Sequence, residues 1–516
     1  MGRGDPEHMT EEPTLLAVDA GTSTVKTVAF RTDGEEIASS SRETEILRPA
    51  SGQIEQDPTE VWKQVVETIK AVSSELPADA VPVGIAITGQ GDGLWAVTDE
   101  GEPVGNAILW SDSRAAPILD EWAESGRLDE IVAQCGSSPY PGMSLPLLVW
   151  LAREQPDRFA RIDTALSCKD WLNYKLTGER TLDPTEATVP YLDKEMGTYD
   201  RDVFDLVGIP NVAEALPRLT VPTEIIGNVT EAAAKETTLP VGLPVVSGLF
   251  DVPASAIGSG VIRPGDVAVT LGTSLTHQAI VEGPQASDRG IQMNLGMGDR
   301  WTYAIGSNAG TPSLEWLAET IVGIEDVAGL ENYATDAPVG SDGVLYHPYL
   351  SSSGERGPFV DPTARAQFVG LTPEHDTGHL VRAVYEGLSL AVRDCVEHLP
   401  ASTGEVALSG GGTSSELWCQ LIADCLDRPV VIPSGSELGA KGAAIVLGVA
   451  LGEYPSLEAA VEGIVDTETR YEPRPDAPDA YDELYDLFVD IREEMGPLWT
   501  RRVTAYQEGT NQPTSD

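Results

Sequence analysis

The feature that most constrains the fold of this chain is a strand–turn–strand unit that occurs twice. Residues 16–30 read LAVDAGTSTVKTVAF, and residues 267–280 read VAVTLGTSLTHQAI. In both stretches apolar and β-branched residues flank a Gly-Thr-Ser turn, which predicts an antiparallel hairpin. Asp19 stands two residues ahead of the first glycine, whereas Thr270 holds that place in the second copy. The repeat predicts two domains of similar construction.

Between and after the hairpins, helical and strand patterns alternate. Asp57–Pro58 predicts a helix start, because the following apolar residues recur with helical spacing, and VGIAIT (83–88) predicts a strand. Residues 94–99 and 106–110 predict a further hairpin across a polar turn, and residues 406–433 predict a strand, three glycines, a helix and a strand. The fold class is therefore α/β. We place a domain boundary near residue 247, giving domains 10–247 and 248–506 that face a shared cleft.

Both ends of the chain have the composition of peripheral segments. Residues 1–9, MGRGDPEHM, are typical of a vector leader, with a native start at Met9, and residues 507–516 form a polar tail. The chain contains no apolar run long enough to cross a bilayer, so no membrane partner is expected. Its five cysteines are scattered, which favours a reducing cytoplasm over a disulfide framework. A homodimer is compatible with these features.

The charge is extreme, with 82 acidic residues against 33 basic ones and a net charge of −49. Such a chain has little to neutralise phosphates with, so the charge disfavours a nucleic-acid partner, and none is expected. A hydrophobic content of 41% is too high for a disordered chain. The composition therefore predicts a globular protein whose acidic surface suits high salt, from a halophilic archaeon.

A Gly-Thr-Ser hairpin can bind an anion. Glycine lets the backbone approach a phosphate, and the exposed N–H groups and hydroxyls add donors. Two such hairpins on facing domains could hold one polyphosphate, with Asp19 binding a divalent cation through water and Gly410–Gly412 packing on a purine. The alternative interpretation of each hairpin is an ordinary tight turn.

The chain resembles the FGGY carbohydrate kinases in two signature segments. Residues 366–386, AQFVGLTPEHDTGHLVRAVYE, are similar to the second signature of that family, and residues 142–154, GMSLPLLVWLARE, to the first. The resemblance implies two ribonuclease-H-like domains of the actin-like ATPase superfamily around a catalytic cleft. It also implies ATP-dependent phosphorylation of a sugar hydroxyl with Mg²⁺.

The resemblance assigns roles to individual residues. Asp251, in GLFDV, matches the catalytic base, although a carboxylate there could also be a helix N-cap. Asp19 is the implied metal ligand. The positions implied for the nucleotide are Asp19, Gly21, Thr22, Ser23, Lys26, Gly272, Thr273, Ser274, Gly310, Gly410, Gly411 and Gly412. The positions implied for the sugar are Gln90, Gly91, Asp92, Trp110, Asp112, Arg114 and Asp251. Trp110 and Arg114 could instead be a core aromatic and a surface ion pair.

The motifs also bear on the acceptor. GQGDGLW, NAILWSDSRA and GLFDV look most like the L-xylulose kinase and erythritol kinase branches. The expected acceptor is a five-carbon sugar of the xylulose or ribulose type, phosphorylated on a primary hydroxyl. The alternatives are erythritol, glycerol, and a pentose phosphate such as ribose 1-phosphate, for which Arg114 and Arg356 could be anion partners. The rival classes are a non-kinase actin-like ATPase switch and a sugar-sensing regulator.

Overall fold

The computed structural model describes residues 12–188, 191–285, 289–334, 337–475 and 477–510. The predicted leader, residues 1–9, and residues 511–516 of the predicted tail lie outside the described residues. Residues 507–510 continue the last helix of the chain.

The elements of the first half, in chain order, are β1 (Glu12–Ala20), β2 (Thr24–Arg31), β3 (Glu36–Glu43), β4 (Glu55–Gln56), α1 (Pro58–Glu75), β5 (Ala80–Gly89), β6 (Trp95–Val97), β7 (Ala107–Ile108), α2 (Ala116–Ser125), α3 (Arg127–Cys135), α4 (Ser144–Glu154), α5 (Pro156–Phe159), β8 (Thr164–Leu166), α6 (Cys168–Thr177), β9 (Thr181–Leu182), α7 (Pro184–Ala187), α8 (Asp202–Leu206), β10 (Arg218–Leu219), β11 (Ile225–Asn228), α9 (Glu231–Thr237), β12 (Pro244–Val246) and α10 (Asp251–Gly258).

The elements that follow are β13 (Val267–Leu271), β14 (Leu275–Glu282), β15 (Ile291–Asn294), β16 (Arg300–Ser307), α11 (Pro312–Trp316), α12 (Glu331–Ala334), β17 (Leu345–His347), β18 (Gln367–Val369), α13 (Thr377–Glu397), β19 (Val406–Ser409), α14 (Glu416–Leu426), β20 (Val430–Pro433), α15 (Leu438–Leu451), α16 (Leu457–Ile464), β21 (Thr467–Tyr471) and α17 (Pro478–Thr510).

The chain forms two compact units. The first comprises the described residues up to Ile262 together with Val281–Thr302 and Glu437–Asp466. Its main sheet has six strands in the order β11-β12-β5-β1-β2-β3. β1 and β2 pair antiparallel around residues 21–23, and β5 runs parallel to β1, so the first predicted hairpin is confirmed.

Helices cover this sheet because its central strand is apolar on both faces. α1 begins after Asp57, whose side chain caps it, and its apolar stripe is buried, as the sequence predicts. Leu15 and Ala17 of β1 share a core with Ala443 and Leu447 of α15. A helix made near the end of the chain therefore completes the core of the first strand.

The second unit comprises Arg263–Ile280, Tyr303–Ser436 and the described residues from Thr467 onward. Its sheet contains the strands β16-β14-β13-β19-β20-β21 in that order. β13 and β14 pair antiparallel around residues 272–274, which confirms the second predicted hairpin. β19 runs parallel to β13 and β20, with α14 between β19 and β20, as predicted from the three-glycine segment.

The hairpin predicted across residues 94–110 is wrong in its main pairing. β6 pairs with β8, and β7 pairs with β4. The two predicted strands meet only through an isolated bridge between Leu94 and Ile108. Alternation shows which residues face the core, but it does not determine the partner strand.

Two further features concern membrane-spanning helices and the cysteines. Among the described residues, none of the helices is long and apolar enough to cross a membrane. All five cysteines are buried and form no disulfide.

We expect the fold to weaken as salt is removed. At most 33 of the 82 acidic residues can be matched by basic ones, so the rest repel one another. The Debye length grows from about 3 Å at 1 M salt to about 10 Å at 0.1 M, which lengthens the range of that repulsion. The thermal midpoint should fall when KCl is lowered from about 3 M to about 0.1 M. The control replaces KCl with a zwitterionic additive, which does not screen the repulsion between charges. A midpoint that is independent of KCl would contradict the prediction.

Candidate functional site

The first hairpin is tied to two of the predicted sugar-binding residues. Trp110 Nε1 donates to Thr22 Oγ1 (2.9 Å), and Thr22 Oγ1 donates to Gln90 Oε1 (3.0 Å). Gln90 in turn donates to Gln56 Oε1 (2.7 Å), whose own amide donates to the Thr22 carbonyl (2.8 Å). The exposed Ser23 lies at the tip of the turn. The structure thus brings together three residues that are far apart in sequence.

Asp92 lies in a tight loop that leaves its carboxyl buried. Its backbone is in the left-handed region (φ 55°), which Asp tolerates better than most residues. Tyr140 donates to its Oδ2 (2.5 Å). Burial raises the pKa of Asp92 to about 7, and the Tyr140 hydrogen bond opposes the rise. A Cβ on Gly91 would overlap the ring of Phe250, so glycine is required there.

Asp112 and Arg114 form a buried ion pair. Arg114 donates to both carboxylate oxygens of Asp112 (2.9 and 2.8 Å) and to Glu55 (2.7 Å). The backbone N–H of Ile54 also donates to Asp112 (2.6 Å), and the Arg114 guanidinium lies 5.1 Å from the centre of the Trp150 ring. The Asp112 carboxylate and the Arg114 guanidinium are therefore both bound to other groups of the protein. That either of them contacts the sugar stays a prediction.

Asp251 is the first residue of α10, and the N-cap is Phe250. The pKa of Asp251 is raised well above its ordinary value, first by burial and then by the charge of Asp19, with a smaller effect of Asp92. A hydrogen bond from the Val252 backbone opposes the rise. The first unit therefore contains three predicted functional carboxylates, and the charges of Asp19 and Asp92 both raise the pKa of Asp251.

Asp19 ends β1 beside the start of α15. A Cβ on Gly439 would lie 2.5 Å from Asp19 Oδ2, so the helix backbone approaches the carboxylate closely. Burial raises the pKa of Asp19 to about 6, Lys26 lowers it and Glu437 raises it. Lys26 itself forms an ion pair with Glu437 (2.8 Å). The close approach at Gly439 has no signal in the sequence.

The second unit builds its own hairpin site. Thr273 is exposed at the tip, and Gly272 and Ser274 flank it. A Cβ on Gly310 would lie 2.5 Å from the Gly272 carbonyl oxygen, and the N–H of Thr311 donates to that oxygen (2.9 Å). Gly310 is therefore packed against the second hairpin.

The three glycines follow β19 in the same unit. Gly410 has φ 86°, and a Cβ there would lie 2.6 Å from the Leu271 carbonyl oxygen. Gly411 is exposed with open space around it, whereas Gly412 packs on Trp418 and Leu271. The loop therefore packs against the end of β13 through Gly410 and Gly412, and it leaves the backbone of Gly411 exposed.

Three polar contacts near these carboxylates were not predicted from the sequence. They involve Tyr140, which donates to Asp92, Glu186, which accepts from the Asp92 N–H (3.1 Å), and Thr185, which accepts from the Phe250 N–H (3.0 Å). The only signal available was Asp183–Pro184, a helix-start pair like Asp57–Pro58.

Comparison with known proteins places most of the chain in one family. The N-terminal domain of the FGGY family of carbohydrate kinases matches residues 14–258, and the C-terminal domain of that family matches residues 267–451. The chain belongs to the FGGY family of carbohydrate kinases. It is accordingly an ATP-dependent sugar kinase with the family's two-domain α/β, actin-like ATPase fold.

Relatives of this FGGY kinase carry several sugar names. It is 30% identical to a xylulose kinase from Staphylococcus epidermidis and 29% identical to an erythritol kinase from Brucella abortus, with 94% of this chain and 97% of the relative covered in each case. The crystal structure of a gluconate kinase from Lactobacillus acidophilus superposes with a TM-score of 0.89 at 25% identity, covering 95% of this chain and 99% of that one.

The residues of this FGGY kinase fit a magnesium ion carried by a nucleotide. Among the residues that the structure describes, no group of three His, Cys, Asp or Glu side chains could hold a metal by itself. Mg²⁺ is commonly bound by one or two carboxylates together with substrate phosphates. Asp19, a single carboxylate beside a phosphate-type hairpin, is suited to that arrangement.

Asp92 should make the stability of this kinase depend on pH. Its native carboxyl keeps a proton that the unfolded chain has lost, so it costs stability as pH rises from about 4 to about 7, up to about 4 kcal/mol. Asp92→Asn should flatten that part of the stability profile, measured by urea unfolding at a series of pH values. The exposed Asp120→Asn is the matched control. Parallel profiles for Asp92→Asn and the wild type would contradict the expectation.

Proposed function

We propose that this kinase transfers the γ-phosphoryl group of ATP to a primary hydroxyl of a neutral five-carbon sugar of the xylulose or ribulose type. Asp251 is the general base, and Asp92 binds hydroxyls of the acceptor. The observation that carries the proposal is the grouping of Asp251, Asp92 and Asp19 in the first unit, where the charges of Asp19 and Asp92 raise the pKa of Asp251.

The electrostatics of this unit favour an uncharged acceptor. The charges of Asp19 and Asp92 already raise the pKa of Asp251, so a negatively charged sugar would add repulsion. Arg114 is the cation of the first unit that a phosphorylated pentose was predicted to use, but Asp112 and Glu55 hold its guanidinium. The same reasoning disfavours a sugar acid, although gluconate kinases are among the relatives with similar folds.

Phosphoryl transfer requires little covalent chemistry from the protein. The acceptor oxygen bonds to the γ-phosphorus as the bond to ADP breaks, and the hydroxyl proton passes to Asp251. A carboxylate whose pKa is raised by burial accepts that proton more readily than an exposed one. Mg²⁺, when bound with the nucleotide, neutralises phosphate charge. The hydroxyls and N–H groups of residues 21–23 and 272–274 are proposed to bind phosphate oxygens, and Gly410–Gly412 the adenosine.

The four-carbon polyol erythritol is the second candidate, because an erythritol kinase matches this chain along 94% of its length. The two candidates differ in length by one carbon and in the carbonyl group, and both are neutral.

A screen of acceptors tests the proposal. ADP formation should be measured in molar KCl with xylulose, ribulose, erythritol, glycerol, gluconate and ribose 1-phosphate. Neutral pentuloses should give the highest kcat/KM, and the two anionic acceptors should be at least about tenfold poorer. A preference for gluconate or ribose 1-phosphate would refute the neutral-acceptor proposal, and a preference for erythritol would replace the five-carbon assignment.

Asp19→Asn should weaken binding of Mg²⁺–ATP whatever the acceptor, because the ion loses its protein carboxylate. Binding of metal-free ATP should not weaken, since the substitution also removes repulsion between Asp19 and the phosphates. Thr273→Ala, at the hairpin without an acid, should lose a donor to a charged group in both titrations, a cost of about 1–3 kcal/mol. Calorimetric titration with Mg²⁺ and with EDTA distinguishes the two variants. Equal losses with and without metal for Asp19→Asn would remove its role as a metal ligand.

A further inference from the structure

One helical turn, α7, contacts both segments that carry the proposed acceptor-binding and catalytic carboxylates. Glu186 Oε2 accepts from the backbone N–H of Asp92 (3.1 Å), and Thr185 Oγ1 accepts from the backbone N–H of Phe250 (3.0 Å), the residue before Asp251. We propose that α7 is a positioning element that fixes Asp92 and Asp251 with respect to each other. The inference rests on the proposed function and names the residues that hold its two carboxylates in place.

The polarity of the Thr185 hydroxyl is determined by its neighbours. Thr185 Oγ1 donates its hydrogen to Asp183 Oδ2 (2.7 Å), and the Thr185 N–H donates to the same oxygen (2.9 Å). The lone pairs of the hydroxyl are therefore directed to the Phe250 N–H. Asp183 is in turn held by Lys169 (2.9 Å), which also pairs with Asp170 (2.7 Å). A continuous buried chain of contacts thus ends on the backbone N–H of Phe250, the N-cap of α10.

A second path links the same parts through side-chain packing. The ring of Phe250 occupies the space where a Cβ of Gly91 would be, so it lies against the loop that carries Asp92. Asp92 itself has a left-handed backbone (φ 55°), a conformation that persists only where the surroundings impose it. The hydrogen bond to Glu186 is one such constraint, and the contact with Phe250 is a second.

Thr185 acts through other groups, because its side chain is fully buried. The role of Glu186 follows from its hydrogen bond to the Asp92 backbone. Asp183 and Thr185 have no exposed surface, and Glu186 is 5% exposed. A buried cation surrounded by carboxylates is seldom more stabilising than a well-packed apolar core of the same volume. What this arrangement provides instead is fixed hydrogen-bond directions at two backbone N–H groups. Displacing a reacting group by about 1 Å can cost about a hundredfold in rate, which is the effect that such positioning prevents.

The test compares substitutions in the turn by steady-state kinetics with the best acceptor of the wild type. Thr185→Val removes the hydroxyl but keeps the shape, and it should lower kcat about tenfold to a hundredfold while the acceptor KM stays within about threefold. Glu186→Met should instead raise the acceptor KM about tenfold and leave the KM for Mg²⁺–ATP unchanged, because it frees Asp92. Thr185→Ser and Glu186→Gln keep an acceptor atom and should restore wild-type values within about threefold.

Thr237→Val is the matched control. Thr237 is also fully buried, donates to the Ala233 carbonyl (2.8 Å) and accepts from the Leu239 N–H (3.3 Å), but it contacts neither carboxylate loop. Its kinetics should equal those of the wild type even where its thermal midpoint falls as far as that of Thr185→Val.

Three outcomes would overturn the inference. They are wild-type kcat in Thr185→Val, a loss in Thr185→Ser as large as in Thr185→Val, or the same kinetic loss in Thr237→Val. If Thr185→Val yields no folded protein, the kinetics of Thr185→Ser, Glu186→Met and Glu186→Gln test the inference in its place. A wild-type enzyme that phosphorylates no neutral acceptor would refute the proposed function instead. The acceptor assay of the wild type is therefore done before any variant is made.

Discussion

Asp251→Asn is expected to lower turnover by about two to four powers of ten while leaving ATP affinity within about threefold of the wild type. The amide cannot accept the proton of the attacking hydroxyl, and a positioned general base typically contributes about 10²–10⁴-fold. Asparagine has nearly the shape of aspartate, so α10 should keep its start. The measurements are steady-state ADP formation with the preferred acceptor and calorimetric titration of nucleotide.

Asp202→Asn is the matched control for this experiment. Asp202 is the first residue of α8, as Asp251 is of α10, but it is exposed. Its substitution should leave turnover unchanged, so any loss in Asp251→Asn beyond that of the control belongs to the site. Full turnover in Asp251→Asn would show that the base is a different residue.

Lys169→Met should cost about 3–5 kcal/mol of unfolding free energy, the range for removing one partner of a buried pair. Lys169 is fully buried with its ammonium between Asp170 (2.7 Å) and Asp183 (2.9 Å). These carboxylates and Glu186 would be left without the cation that compensates them. The measurement is urea unfolding in molar KCl, with the protein monitored by tryptophan fluorescence.

The control applies the same substitution to an exposed pair. Lys63 contacts Glu60 at 3.2 Å with more than half of its side chain exposed, so Lys63→Met should change stability by no more than about 1 kcal/mol. Adding Asp170→Asn to Lys169→Met should recover part of the loss, since it removes an uncompensated charge. Equal effects of the two Lys→Met substitutions would show that the buried cluster contributes no more than a surface pair.

Local patterns predicted the elements of this fold well, and they failed where distant segments meet. The two hairpins and α1 are determined within short windows, by alternation, turn residues and the Asp57 cap. The pairing of β6 with β8 and of β7 with β4 depends on segments that the pattern cannot connect. The return of α15 to the core of β1 is likewise invisible in a linear reading, because an apolar helix has the same sequence pattern wherever it packs.

The candidate site shows the same division. The resemblance to a family identified residues such as Asp19, Asp92 and Asp251, but not their contacts. Thr22 meets Gln90 across 68 positions, and it meets Trp110 across 88, which no local pattern reports. The contacts of α7 were missed because a four-residue turn carries too little periodicity to predict its neighbours.

The place of α15 in the first unit has a consequence for biosynthesis. A ribosome releases β1 at the start of synthesis, yet the alanine-rich helix face that covers Leu15 and Ala17 emerges about 420 residues later. At about 5–20 residues per second the nascent strand waits roughly 20 to 80 s with part of its apolar surface uncovered. During translation this interval is an opportunity for chaperones to bind, and a ribosome stalled before residue 438 would hold a chain whose first sheet has all its strands but lacks the cover of α15.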